Sequence, residues 1–359
     1  MPSTKPTGSP RPRILEFDAV RGLAALAVVL FHYTTRYGQL YGQAEGPTWE
    51  FRYGDYGVQL FFMLSGFVIF MTLARTVSVM DFIVGRFSRL YPAYWAAVLV
   101  TFAAVSWCNL PGKQVTGIEA LVNLTMVQQL LGARHVDGVY WSLQVELLFY
   151  VAMLALYRCG AFRRVWTTLF VWVAAGLCVH TGLEAFGDQS PVLASVLTKL
   201  QTLFCLKFIH LFAIGTAFYQ VYKSGRLTIS AVAAIAACIV VQGVTDSWWG
   251  AALVAGFVGL FHAIINGRLS VLNARPLVWL GGISYPLYLL HQNIGYLLIR
   301  RLNDWGVNAN LSVAAACILA ITLAAALTRM VERPAMTWIK GVYRRTRGGF
   351  SPAVARQLN

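Results

Sequence analysis

The sequence has few charged residues and especially few acidic ones. Charged side chains make up 12% of its 359 residues, about half of the roughly 25% that is typical of soluble globular domains. Hydrophobic residues make up 58% of the chain, and the mean hydropathy is +0.61. Such a composition excludes a disordered chain and argues against a soluble enzyme or a nucleic-acid-binding protein, which need many more charges on a solvated surface. It indicates a membrane protein with several spans.

Cysteine spacing also gives no sign of a metal site or a disulfide framework. No CxxC pair occurs, and most of the six cysteines lie in apolar runs, where cysteine packs as a small apolar side chain. They are Cys108, Cys159, Cys178, Cys205, Cys238 and Cys317. We therefore expect no bound metal.

Runs of about 20 mostly apolar residues, the length that crosses a bilayer as a helix, predict an all-α membrane bundle of about ten transmembrane helices. The predicted spans are 15–35, 57–74, 91–110, 140–157, 165–182, 207–222, 228–244, 248–265, 277–299 and 309–330. Merging two weaker segments gives an eight-span alternative. The transmembrane domain then covers 14–335, between a disordered tail, 1–13, and a basic tail, 336–359. A signal peptide around 22–31 is disfavoured, because charged residues crowd its start and no cleavage site follows.

Lysine and arginine collect on one side of this arrangement. Most of the 29 Lys and Arg residues fall in the two tails and in the loops near 75–89, 158–164, 223–226 and 268–275. Positive residues mark the cytoplasmic side of a membrane. We therefore predict a multi-pass protein of the plasma (inner) membrane with both termini in the cytoplasm, and most of the positive charge needs no ligand to explain it.

The first span contains two ionisable residues that share one face of a helix. Arg21 and His32 are 11 residues apart, which brings them to within about 20° of exact alignment around the helix and separates them by a rise of about 16 Å. Arg21 is predicted to lie near the cytoplasmic surface and His32 well inside the bilayer. Ionisable residues at that depth are costly and are usually functional, although a lone histidine can also be a hydrogen-bonded core residue.

Further ionisable residues occur in later spans. Arg86 and Arg89 are neighbours on one helix face, where they are either a membrane anchor or a phosphate clamp. Counting from the span ends places Glu146, one turn after Ser142, and His291 at a depth similar to that of His32. A carboxylate at that depth is either paired with a buried cation or histidine, or protonated. Both states would suit a site that handles protons, and a structural polar contact is the alternative.

Six motifs in this order resemble those of the acyltransferase-3 family, integral membrane acyltransferases that O-acetylate cell-surface and secreted glycans. The motifs are LEFDAVRGLAALAVVLFHY with its Arg–ten residues–His spacing, GVQLFFMLSGFVI, RFSRLYPAYW, WSLQVELLFY, ISYPLYLLHQ and the closing VERP. The resemblance covers the chain from about Ile14 to Pro334. The chain departs from the family pattern at Gln144 and at Leu147–Leu148, which concerns details of acceptor binding. It lacks the extra esterase-like domain of longer relatives, so the membrane unit itself would recognise the acceptor.

The resemblance implies an O-acyltransferase that uses acyl-CoA, most simply acetyl-CoA, as its donor. His32 would act as a general base or carry the acyl group transiently. The implied roles are catalysis by His32 and Glu146, donor binding by Arg21, Arg86 and Arg89, and substrate binding by Trp141, Ser142 and His291. The expected partners are the bilayer, acyl-CoA and a glycan or lipid-linked sugar.

Two other classes of function stay open at this point. A proton-coupled transporter or a flippase of lipid-linked sugars would also contain buried histidine and glutamate, although the sequence has no inverted repeat. A structural subunit of a membrane complex would leave the common depth of His32, Glu146 and His291 unexplained. The sequence does not name the acceptor or the oligomeric state.

Overall fold

The computed structural model describes residues 14–42, 47–76 and 78–347. Within these ranges the regular structure is helical, with no strand. The α-helices are α1 Leu15–Phe31, α2 Tyr37–Tyr41, α3 Gly57–Leu73, α4 Val79–Cys108, α5 Gly117–Asn123, α6 Tyr140–Arg158, α7 Val165–Phe186, α8 Pro191–Leu203, α9 Ile209–Ser224, α10 Ile229–Thr245, α11 Trp248–Ile265, α12 Arg275–Asp304, α13 Ala309–Leu327 and α14 Arg333–Thr346. The predicted tail 1–13 lies outside the described residues, as does the end of the predicted basic tail.

Two short π-helical turns interrupt this pattern. One follows α1 at His32–Arg36, and the other follows α13 at Thr328–Glu332. Wider π-turns inside helices often occur at functional sites. Both turns adjoin residues that the sequence singled out, His32 in the first case and the VERP motif in the second.

A helix lies over each of the ten predicted spans, and six helical stretches are long and apolar enough to cross a membrane. These six are Gly54–Leu73, Val79–Cys108, Tyr140–Arg158, Ala161–Phe186, Trp248–Ile265 and Ala309–Thr346. The prediction of an all-helical, multi-pass membrane bundle is confirmed for the described residues. The count of ten crossings and the cytoplasmic position of the termini stay predictions.

Four helices over predicted spans are missing from the six because their composition is too polar or their length too short. They are α1, α9, α10 and α12, and α1, α9 and α12 contain much of the buried polar structure. Their fully or almost fully buried polar residues are Asp18, His210, Thr216, Ser284, His291, Gln292 and Asn293. These side chains face protein rather than lipid, which makes them tolerable at membrane depth. Helix α7, by contrast, has few buried side chains.

Glycines allow the central helices to approach one another closely. Where α1 crosses α12, a Cβ atom on Gly281 would collide with the backbone of Asp18, and one on Gly22 would collide with the backbone of Gly281. The crossing of α3 and α9 is built in the same way, from Gly66 and Gly215. Small residues at helix contacts are the usual means of packing helices in membranes, because lipid gives no hydrophobic drive for association.

We expect Gly281→Ala to destabilise the protein, because the added methyl group must push α1 away from α12. Overpacking of this kind costs about 1–3 kcal/mol. The midpoint of thermal unfolding in detergent should fall by several degrees. Gly256→Ala, in α11, is the matched control, since a Cβ at Gly256 meets open space. Equal midpoints for the two variants would contradict this account of the crossing.

The predicted third span, 91–110, begins later than the helix that lies over it. Helix α4 begins at Val79 and continues through Pro92. Proline removes one helical hydrogen bond, but tertiary contacts hold the turns before it. Asp81 accepts hydrogen bonds from Tyr343 and Arg347, both at 2.8 Å, and the Tyr285 hydroxyl donates to the carbonyl of Leu90. Much of the predicted loop 75–89 is therefore helix.

Candidate active site

His32 lies directly after the last residue of α1, at the first position of the π-turn, and is partly buried. His291 lies in the middle of α12 and is fully buried. The Nε2 atom of His291 is 3.2 Å from the Nδ1 atom of His32, and the two rings meet edge to face with centroids 4.9 Å apart. The structure thus brings together two histidines that are 259 positions apart in the sequence.

The surroundings of this histidine pair favour one arrangement of its protons. The Nδ1 atom of His291 lies 2.9 Å from the carbonyl oxygen of Tyr288 and 3.2 Å from that of Leu287. Carbonyl oxygens only accept hydrogen bonds, so Nδ1 of a neutral His291 carries the proton and Nε2 is left as an acceptor. The Nδ1–H of His32 can then donate to His291 Nε2 and to the carbonyl of Val28, 2.9 Å away. This assignment leaves Nε2 of His32 with a lone pair that can accept a proton.

Side chains from other elements hold the His291 segment of α12 in place. The Tyr33 hydroxyl donates to the carbonyl oxygen of His291 at 2.7 Å, and the Tyr140 hydroxyl donates to that of Leu289 at 3.3 Å. The buried carboxylate of Asp137 accepts a hydrogen bond from the main-chain N–H of Asn293 at 3.0 Å. These contacts fix the orientation of the buried imidazole.

Asp137 is a residue that the sequence reasoning missed. It lies in the segment before α6, where it also accepts a hydrogen bond from the main-chain N–H of Val139. Burial raises the pKa of its carboxyl group to about 7, and the two main-chain donors and Lys113 act in the opposite direction. An acidic residue three positions before Tyr140, close to the WSLQVELLFY motif, was the available signal.

A second group consists of Arg21, Arg86 and Arg89. It lies at the end of α1 that is predicted to face the cytoplasm. Arg21 lies 3.9 Å from Asp18 and interacts electrostatically with Arg89. The guanidinium carbon of Arg86 lies 5.9 Å from the ring centroids of both Phe82 and Tyr150. The Nε–H of Arg86 is buried without a hydrogen-bond partner among the described residues. A buried donor of this kind costs free energy unless something accepts from it.

Glu146 joins the arginine group rather than the histidine pair. Its carboxylate accepts short hydrogen bonds from Ser65 and Tyr150 and interacts electrostatically with Arg21 and Arg86. Glu146 was predicted to lie at the same depth as His32 and His291, but it contacts neither of them among the described interactions. The catalytic role of Glu146 stays a prediction, and these partners favour an indirect one.

Ser142 and Tyr288 lie between the two groups. The Ser142 and Tyr288 hydroxyls are 2.6 Å apart, and the Tyr288 ring centroid is 5.8 Å from that of His291. Ser142 is one helical turn from Glu146 on α6. Trp141, the other predicted substrate-binding residue of this motif, packs on Phe208 at 5.3 Å. Polar side chains thus connect the histidine pair to the arginine group through the interior of the bundle.

Helix α14 and the π-turn before it add further charge to the arginine group. Lys340 of α14 interacts electrostatically with Arg86 and Arg89, and Glu332 of the π-turn does so with Arg21 and Arg89. Lys340 was expected only as part of a basic tail. Within the described ranges, no cluster of three histidine, cysteine or carboxylate side chains could hold a metal ion.

Comparison with known proteins identifies a family for most of the chain. The model of the acyltransferase-3 family, described as an acyltransferase domain, matches residues 14–329. The exopolysaccharide production protein ExoZ of Rhizobium meliloti is 27% identical, over 88% of this chain and 99% of that protein. The acyltransferase MdmB of Streptomyces mycarofaciens is also 27% identical, over 90% and 93%. The O-acetyltransferase OatA of Staphylococcus aureus is 26% identical, over 90% of this chain and 57% of OatA. No solved structure matches.

Proposed function

The chain belongs to the acyltransferase-3 family, and we propose that it transfers an acyl group, most simply acetyl, from cytosolic acyl-CoA to a hydroxyl group of an extracytoplasmic glycan. The observation that carries this proposal is the pairing of two sites along α1. A partly buried arginine group includes Arg21, and the histidine pair lies at the other end of the helix, about 16 Å further along its axis. Polar side chains connect the two sites through a membrane-spanning bundle.

The arginine group is suited to the phosphates of CoA. The guanidinium group of arginine presents a planar fork of donors that matches phosphate oxygens. The unpartnered Nε–H of Arg86 is a donor available for such a ligand. In this proposal Glu146 and Tyr150 keep the guanidinium groups in position before the donor arrives, and the pantetheine arm extends toward His32.

The histidine pair is suited to acyl transfer. Nε2 of His32 takes the proton of the acceptor hydroxyl as its oxygen attacks the thioester carbonyl. The C–S bond then breaks, and the proton passes from His32 to the departing thiolate of CoA. In the second route Nε2 itself attacks the thioester carbon and the C–S bond breaks, giving a transient acyl-histidine and the CoA thiolate. The acceptor hydroxyl then attacks this acyl group, Nε2 leaves as the neutral imidazole, and the hydroxyl proton passes to the thiolate. In both routes His32 becomes positively charged, and His291 stabilises that charge by accepting a hydrogen bond from Nδ1.

Relatives of the chain favour a glycan as the acceptor. One is named for exopolysaccharide production, and the relative YrhL of Bacillus subtilis is named a putative peptidoglycan O-acetyltransferase. The excess of Lys and Arg on one side of the predicted topology favours a plasma-membrane protein with cytoplasmic termini. Donor and acceptor would then reach His32 from opposite sides of the bilayer.

An assay of purified protein in liposomes distinguishes an acyltransferase from a transporter, a flippase or a structural subunit. With acetyl-CoA and a mixture of surface glycans, we expect release of the CoA thiol together with acetylated glycan. A transporter or flippase would move a lipid-linked sugar across the membrane without releasing thiol, and a structural subunit would do neither. Absence of thiol release by well-folded protein with every glycan supplied would overturn the proposal.

His291 should act as a positioning residue, because it is fully buried and its ring contacts His32. We expect His291→Leu to lower kcat by about 10- to 100-fold, since a hydrogen bond to a charged group contributes about 1.5–3 kcal/mol. The KM for acetyl-CoA should not change. His291→Gln, whose side-chain oxygen can accept the same hydrogen bond, should recover part of the activity.

The control for this experiment is another buried histidine. His210 lies in α9 and its Nε2 atom is 2.6 Å from the side-chain oxygen of Gln242, so His210→Leu also removes a buried hydrogen bond. The pH dependence of kcat/KM should change in shape in the His291 variants and keep the wild-type shape in His210→Leu. Matching profiles in both variants would mean that His291 has only a structural role.

A further inference from the structure

A cleft of about 370 Å³ opens beside His32 at the end of α1 that lies away from Arg21. One wall is the π-turn region with Phe31, Thr35 and Gln39, and the other is the segment before α3, with Tyr53 and Asp55 among its lining residues. The volume is within the range of about 300–1,000 Å³ that is usual for ligand sites. The sequence analysis assigned no role to this segment.

The cleft lies next to the proposed catalytic base. The ring of Phe31, which lines the cleft, is 5.2 Å from the ring of His32, centroid to centroid. Thr35 is three residues after His32, on the next turn of the same helix. A molecule in this cleft would therefore contact Phe31, the neighbour of His32, at the end of α1 opposite the arginine group.

Two polar atoms of the cleft residues are buried without a hydrogen-bond partner in the described structure. They are Oγ1 of Thr35, whose residue is 4% exposed, and Oδ1 of Asp55. Buried polar atoms normally have partners, because each unsatisfied one costs about 1–3 kcal/mol. A ligand with hydroxyl groups could donate to both.

The cleft is held in shape by contacts with the rest of the bundle. The main-chain N–H of Phe51 donates to Thr34 Oγ1 at 2.9 Å, and the ring of Tyr53 packs on Trp249 with centroids 5.5 Å apart. Tyr56 donates a hydrogen bond to Asp246 at 2.7 Å. Gly54 lies so close to the backbone of Ala27 that a side chain would not fit. Preorganised walls reduce the entropy cost of binding.

We propose that this cleft is the acceptor subsite and that it takes an uncharged pyranose unit; this rests on the proposed transferase function. The aromatic rings of Phe31 and Tyr53 offer apolar faces to the C–H face of a sugar ring. Asp55 and Thr35 accept hydrogen bonds from its hydroxyl groups. Arg52 is already paired with Glu50 at 3.0 Å, so the carboxylate of Asp55, whose Oδ1 has no hydrogen-bond partner in the described structure, determines the local charge. That charge repels an anionic sugar.

Ligand-detected NMR on the full chain in nanodiscs tests the subsite directly. The probes are methyl β-D-glucopyranoside and its anionic analogue, methyl β-D-glucopyranosiduronate. We expect the neutral glycoside to bind at least tenfold more tightly than the anionic one. Tyr53→Ala should weaken binding of the neutral probe by tenfold or more, and Asp55→Asn should remove most of the discrimination between the probes. Tyr157→Ala, an exposed tyrosine at the far end of α6, is the control and should leave both unchanged.

Measuring CoA binding and thiol release in the same preparations separates the two proposals. Wild-type protein that binds neither probe, or Tyr53→Ala protein that binds the neutral probe normally, would overturn the subsite while CoA binding and thiol release continued. Loss of thiol release in the wild type would instead count against the transferase. Unchanged CoA affinity in Tyr53→Ala and Asp55→Asn is expected, and it shows that these variants are folded.

Discussion

Replacing His32 with alanine is expected to lower kcat for acyl transfer by about 10²- to 10⁴-fold, the range that general acid–base catalysis contributes. His32 combines two properties that the other described histidines lack together. Its ring contacts that of Phe31, which lines the proposed acceptor cleft, and its Nδ1 is occupied by His291 and Val28. Its Nε2 is therefore the atom placed to take a proton. Thiol release and glycan acetylation should fall together.

Affinity for CoA provides the internal standard for this experiment. The arginine group is about 16 Å from His32 along α1, so His32→Ala should bind CoA as the wild type does. His262→Ala is the control for a histidine elsewhere in the membrane domain, since His262 hydrogen-bonds within α11 and its C-cap at Asn266. Full turnover by His32→Ala would contradict the assignment of His32. Loss of CoA binding in this variant would show that the substitution had disturbed the fold.

The sequence was sufficient to predict the helices and how far along each helix the candidate site residues lie. Apolar runs gave the positions of the helices, and the 11-residue spacing placed Arg21 and His32 at opposite ends of one stripe. These inferences succeed because helix rise and hydrophobic length are properties of a single segment. The meeting of His32 with His291 is consistent with the same counting, because both were placed at one depth.

Contacts across the bundle were beyond the reach of the sequence, because depth says nothing about which helices are neighbours. Glu146 was placed level with the histidines, yet α6 turns its carboxylate toward Ser65 and Tyr150. The region 75–89 was expected to be a loop before the span 91–110, but the contacts of Asp81 hold the start of α4 within it. In each case a partner distant in sequence decides the outcome.

The acceptor cleft was missed for a related reason. The residues 50–56 read as a polar connection between two spans, and neither Tyr53 nor Asp55 forms part of a recognisable motif. Their arrangement depends on Gly54, which allows this segment to lie against α1. A site formed by a loop folded onto a helix leaves no periodic pattern in the sequence, and only the packed structure indicates it.

The double variant Arg86→Ala/Arg89→Ala is expected to weaken CoA binding by about 100-fold or more. Each charge-assisted hydrogen bond to phosphate contributes about 1.5–3 kcal/mol, and each 1.4 kcal/mol corresponds to a factor of ten in affinity. The loss should appear in the dissociation constant for CoA, measured by calorimetry in detergent. It should be smaller at high ionic strength, because salt already weakens the phosphate contacts in the wild type.

Two further variants decide how the arginines act. Arg163→Ala/Arg164→Ala removes the same charge from exposed residues just before α7, so a similar loss of affinity there would mean that only net positive charge matters. Arg86→Lys/Arg89→Lys keeps the charge but removes the planar fork. An intermediate affinity for the lysine variant would support a phosphate clamp built on guanidinium geometry. Wild-type affinity in the alanine double variant would instead make this pair a membrane anchor, and Arg21 and Lys340 would then be the remaining cations able to hold the donor.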